Sequence, residues 1–115
     1  MTNSNQIIVY EEADKNSIDK YIALLGDYEL KSYKAFPIAD AMILFLISLE
    51  QRYDHAYVLV GEGSNSINWL SKEIKSGHKR NRYKNIAPLF ISKSLVPEWW
   101  RDTKSLKYLN DILKT

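Results

Sequence analysis

The chain has 115 residues, no cysteine and a formal charge of +2. That length supports one small domain with a real core. The missing thiols exclude a disulfide scaffold or a thiolate metal centre, and so small a charge gives no electrostatic footprint of a nucleic-acid binder. His55 and His78 lie in different segments, so a zinc site would need carboxylate help. Residues 1–5 lack the features of a signal peptide, and the longest apolar run, Ala41 to Ile47, is too short to cross a bilayer. A cytoplasmic protein with no membrane partner is expected.

Gln6-Ile-Ile-Val-Tyr10 is a short β-branched apolar run and predicts a central strand. The polar stretch Glu11 to Ser17 predicts a loop, with Asn16 or Ser17 as helix N-cap. Ile18, Tyr21, Ile22 and Leu25 then carry the spacing of an amphipathic helix, and Gly26 is its expected C-cap. Tyr28 to Tyr33 alternates polar and apolar residues, as a strand exposed on one side does.

Pro37 opens a segment that runs to about Arg52. Its apolar block is buried on every face by pattern, so periodicity alone cannot separate strand from helix. The preceding proline, Asp40 in a first turn and the length of the block favour helix. His55 to Val60 predicts a strand, and Ser66 to Ser76 a helix ending at Gly77. Ile86 to Ile91 predicts another strand, which Pro88 assigns to an edge or an irregular position. Leu106, Leu109 and Leu113 predict a terminal amphipathic helix. Strands and helices thus alternate, and the expected fold is α/β: a small flavodoxin-like three-layer sandwich with a mostly parallel sheet of four or five strands.

The chemistry-bearing stretch is Val58 to Glu73: a strand, the Gly61-Glu-Gly63 turn with Ser64, Asn65 and Ser66, then a helix carrying Trp69 and Glu73 one turn apart. Such a turn lies at the carboxyl end of a strand, where open α/β sheets hold ligands. Its N–H groups and hydroxyls suit a phosphate or ribose; equally, it is an ordinary strand-to-helix turn with a serine cap. Glu73 is either a catalytic carboxylate or a solvated helix residue beside Lys72 and Lys75. Trp69 is a packing residue or a substrate wall. Tyr10, Glu11 and Glu12 close the first strand and face the same crevice, as ligand contacts or as a solvated acidic loop. The basic run His78 to Lys84 is a phosphate or acidic-partner contact, or a solvated loop.

Trp69-Leu-Ser-Lys-Glu73, preceded by Ser64 and the strand Tyr57-Val-Leu-Val60, resembles the third strand and third helix of a Toll/interleukin-1 receptor (TIR) domain. Asn85-Ile-Ala-Pro-Leu-Phe-Ile-Ser92 with Leu95-Val-Pro-Glu-Trp-Trp-Arg101 is similar to the family's fourth strand and the segment after it. Ile7-Ile-Val-Tyr10 stands in the place of the first strand. The chain departs from the pattern in its Ile-Val-Tyr-Glu-Glu box and in the short loop around Lys34-Ala-Phe-Pro37.

The resemblance implies a TIR-like domain over residues 1–115 of the bacterial NADase type, acting in prokaryotic defence or signalling. Its substrate would be NAD+, with no resident cofactor and no metal, and self-association into a TIR–TIR assembly would be expected. Glu73 would be the catalytic carboxylate, with Tyr10, Glu11, Glu12, Gly61, Ser64, Ser66 and Trp69 around the nucleotide. Nicotinamide leaves as a neutral base from a cationic ring, so no general acid is needed. One anion beneath the ribose stabilises the developing oxocarbenium ion. Two other readings stand beside it: a catalytically silent TIR-like interaction module, and a nucleoside deoxyribosyltransferase-like enzyme with Glu73 as covalent nucleophile.

Overall fold

The computed structural model describes residues 5–34, 36, 38–61, 67–91, 95 and 107–108, with the backbone alone for 67–71 and 107–108. The elements follow as β1 (Gln6–Glu11), a 3-10 turn (Glu12–Asp14), α1 (Lys15–Asp19), a second 3-10 turn (Ile22–Leu24), β2 (Glu29–Tyr33), α2 (Ala39–Arg52), β3 (His55–Val60), α3 (Ile67–Lys79), β4 (Ile86–Phe90) and β5 (Lys107–Tyr108). The strands form one five-stranded sheet in the order β2-β1-β3-β4-β5, and every pairing is parallel. This is the doubly wound, flavodoxin-like order.

The near-continuous apolar character of β1 and β3 follows from their position. Both are interior strands with helices over each face, so both pleat directions must be apolar. On one face Ile7, Val9, Val58, Val60 and Phe90 pack with Met42, Leu46 and Leu49 of α2 and Ile74 of α3. On the other, Ile8, Leu59 and Leu89 pack with Ile18 of α1 and with Leu25. β2 is the edge strand, and only Tyr33 of its five residues is buried. Lysine at position 31 of that edge discourages pairing with another chain.

The ambiguous block after Pro37 is helical, with Asp40 in its first turn and Arg52 in its last, each complementing the helix dipole. Not all of its apolar residues find cover: Leu44 is 67% exposed and Ile38, just before the helix, 61%. Among the described residues no helix is long and apolar enough to cross a membrane.

Several local expectations are corrected. The first helix starts earlier, at Lys15 with Asp14 as N-cap, and stops at Asp19. Beyond it the chain tightens into successive i to i+3 bonds, Tyr21 N–H to Ile18 O, Leu24 to Tyr21, Leu25 to Ile22 and Tyr28 to Leu25. Tighter winding carries Ile22 off the apolar stripe, and it is 47% exposed, while Leu25 is 1%. Gly26 is not a left-handed cap, because no described glycine has positive φ.

Gly77 does not end α3, which continues to Lys79. The ring of Tyr83 lies where a Cβ on Gly77 would stand, so this glycine is a packing requirement inside the helix. Glu11 belongs to β1, paired in register with Tyr33, and not to the loop.

Pro88 sits in an interior strand, opposite Val58. Ile91 N–H donates to Val60 O, so alternation turns the backbone nitrogens of residues 91, 89 and 87 toward β3 and that of Pro88 toward β5. The β5 register begins only at Leu89, so the missing N–H falls outside that ladder. Lys107–Tyr108 is strand β5, within the span expected to be a terminal helix. Parallel pairing with β4 there overrides the leucine periodicity of the segment. The rest of that span, like most of Leu95 to Arg101, lies outside the described residues.

Candidate functional site

Chain direction sets where a ligand edge must be. From β1 the chain crosses to the face of α1; from β3 it crosses to the face of α3, and the two strands are neighbours. Their carboxyl ends therefore flank the topological switch point. Three residues meet there. Glu11 ends β1 and is only 4% exposed; Asp14, in the following 3-10 turn, is 1% exposed. Gly61 follows β3 and is buried, and a Cβ built on it would come within 2.5 Å of Asp14 Oδ1. The glycine is what lets the carboxylate of Asp14 lie against the end of β3.

The other predicted residues of this edge divide. Tyr10 turns to the α1 face and packs against the Ile8–Ile18–Leu25 cluster, as the period of two in a strand requires. Glu12 is exposed. Ser64 and Ser66 lie outside the described residues, and of Trp69 the backbone alone, within α3, is described. Next to Glu11, the ring of Tyr33 stacks on Phe36 at 5.2 Å between centroids and tilts against Phe45 at 5.3 Å. This aromatic wall closes the outer side of the edge.

Glu73 stands elsewhere. It is the seventh residue of α3, about 9 Å along the axis from Ile67, and β3 is about 20 Å long. The carboxylate therefore belongs to the flank of the sheet and not to its carboxyl rim. Glu73 Oε2 accepts from Arg80 Nη2 at 3.3 Å; the two side chains are 22% and 57% exposed.

Immediately beyond lies a tightly built turn. Asn81 and Tyr83 both adopt positive φ, 60° and 54°. Asparagine enters that region readily, whereas a bulky aromatic does so only when the surroundings over-determine it. They do. The Tyr83 ring fills the space at Gly77, and its N–H donates to the Glu50 carboxylate. His78 Nε2 lies 2.8 Å from Tyr83 O and 2.9 Å from Ile86 O; two carbonyls can only accept, so this nitrogen carries the proton. Asn85 Nδ2 donates to Glu50 O and Tyr53 O. Burial pushes the Tyr83 hydroxyl above its ordinary pKa, and the negative charge of Glu73 pushes it the same way.

On the outer side of α3, Lys72, Lys75, Ser76 and Lys79 line a concavity of about 280 Å³. Lys72 precedes Glu73 in the chain, and Ser76 lies one turn after it. The molecule therefore has two candidate clusters: Glu11, Asp14 and Gly61 at the switch point, and Glu73, Arg80 and Tyr83 with the lysine-lined concavity on α3. Nothing in the geometry joins them into one. Sequence reasoning missed Asp14, whose only advance signal was an N-cap residue type directly before a helix. It also missed the roles of Arg80 and Tyr83, because an aromatic plug inside a basic run has no periodic signature.

Comparison of the chain with protein-family models, with curated proteins and with solved structures found no match in any of the three.

Proposed function

We propose that this chain is a TIR-type NAD+ glycohydrolase or cyclase in which Glu73 is the carboxylate that stabilises the transition state. The observation that supports this reading is the setting of Glu73. It is a half-shielded carboxylate, beside a lysine-lined concavity, held by one guanidinium that is itself 57% exposed. Exposed ion pairs of this kind are worth about 0–1 kcal/mol. A substrate that brings a developing cation to the carboxylate can therefore displace Arg80 at little cost.

The step balances without an added reagent. The bond between ribose C1′ and the nicotinamide nitrogen breaks, and its electron pair stays with the nitrogen, which neutralises the pyridinium. The positive charge that develops on the ribose faces Glu73. Water then forms the new C1′–O bond and loses a proton, giving ADP-ribose; attack by an adenine nitrogen instead closes a cyclic product. Glu73 accepts no covalent bond in this scheme, and its role is electrostatic and orienting.

A second reading, a catalytically silent interaction module, has its own support. Arg80 occupies the carboxylate, and Ile38 and Leu44 leave an apolar surface at α2. Purified protein incubated with NAD+ beside Glu73→Gln separates the two. Nicotinamide release that depends on Glu73 supports the enzyme; no release from oligomeric wild type leaves the module.

A further inference from the structure

The spacing 72, 75, 76, 79 is i, i+3, i+4, i+7, so the residues around the α3 concavity share one helix face, opposite buried Ile74 and Gly77. Helix termini explain only part of this charge. Lys79 is in the last turn and complements the dipole, but that effect fades within a turn, and Lys72 and Lys75 lie before it. The lysines also repel: Lys72 with Lys75 and Lys75 with Lys79 are like-charge neighbours, at about 0.2–0.5 kcal/mol each. The one carboxylate of α3, Glu73, is paired with Arg80. An anion in the concavity would turn these repulsions into attractions.

The chemistry of the lining narrows the anion. Lysines are mobile point charges that suit phosphate oxygens, and a serine hydroxyl adds a donor. The volume, about 280 Å³, is below the usual range for a whole ligand of drug size. It suits the phosphate part of a larger molecule.

We propose that Lys72, Lys75, Ser76 and Lys79 bind the diphosphate of a dinucleotide. This rests on the NAD+ reading for the identity of the nucleotide. A single ribose separates the scissile carbon of NAD+ from its diphosphate, and Glu73 is adjacent to Lys72 and one turn from Ser76. The same face would thus hold the anchor and the reacting sugar side by side.

The test is equilibrium binding of inorganic pyrophosphate and of ADP-ribose to the wild-type chain, to Lys72→Gln, and to Lys72→Gln/Lys75→Gln/Lys79→Gln, with unfolding midpoints as a folding control. Wild type should bind both ligands, Lys72→Gln should weaken both, and the triple variant should lose at least about tenfold in each. Equal binding by wild type and triple variant overturns the site, as does no binding by wild type. Lysine-dependent binding of phosphatidylglycerol vesicles or of an oligonucleotide, without pyrophosphate or ADP-ribose binding, also overturns it, in favour of a polyanion surface. Loss of pyrophosphate and ADP-ribose binding in the triple variant supports the site even where no NAD+ is cleaved; that combination would sink the enzyme reading alone.

Discussion

The switch point and the outer flank of α3 treat acidic residues in opposite ways. At the switch point Glu11 and Asp14 are almost wholly buried, and the latter fills the space that a side chain on Gly61 would need. On α3, Glu73 is held by an exposed arginine and stands among lysines. Burying a carboxylate is costly unless its surroundings are built for it, so the first arrangement is rigid and specific. The second is loosely held and open to exchange. A location at the carboxyl edge of an α/β sheet is therefore an incomplete guide to where this molecule can meet a ligand. The edge is packed, and accessible charge has moved to the helix flank.

The turn beneath Glu73 offers the largest perturbation. Tyr83→Ala removes a fully buried ring that fills the gap at Gly77, and should cost about 3–5 kcal/mol in urea unfolding. A loss under 1 kcal/mol would mean that the turn is not built around that ring. At the other cluster, Gly61→Ala places a methyl group against the Asp14 carboxylate. Overpacking of that kind should cost about 1–3 kcal/mol. Restoration of stability in Gly61→Ala/Asp14→Ala would tie the effect to this contact, and independent losses would separate the two residues.

The smallest effect is alkaline. Tyr83 has its hydroxyl pKa raised by burial and by Glu73, so the folded protein keeps that proton when the unfolded chain has released it. The stability this contributes is complete below the unfolded value, about 10. It declines as pH rises from there through the higher folded value, because the native state then binds more protons. Unfolding midpoints should fall faster above pH 10 in wild type than in Tyr83→Phe. Equal slopes would contradict the shift.

Much of the framework was legible in the sequence. His55 to Val60 reads as a strand and is one over that span, because an interior parallel strand is apolar on both faces. The block after Pro37 was resolved as helix by its length and flanking residues, where periodicity could not decide. What was not legible depends on residues distant in the chain. Gly77 reads as a helix end until Tyr83 is known to fill its empty side. Pro88 reads as an edge residue until the β5 register is known to begin one residue later. Asp14 reads as one more charge in an acidic loop until Gly61 is brought to it. The motif Trp69 to Glu73 was legible as a helix, but its spacing held no sign that Arg80 would fold back onto the carboxylate.

The account turns on Glu73, and the most direct measurement is nicotinamide release from NAD+ by wild type, Glu73→Gln and Arg80→Ala across a protein concentration series. Wild type should release nicotinamide, Glu73→Gln should lose about 100-fold or more, and Arg80→Ala should retain activity, since its ion pair is displaceable. Equal release by wild type and Glu73→Gln, or none from oligomeric wild type, would contradict the assignment of this carboxylate.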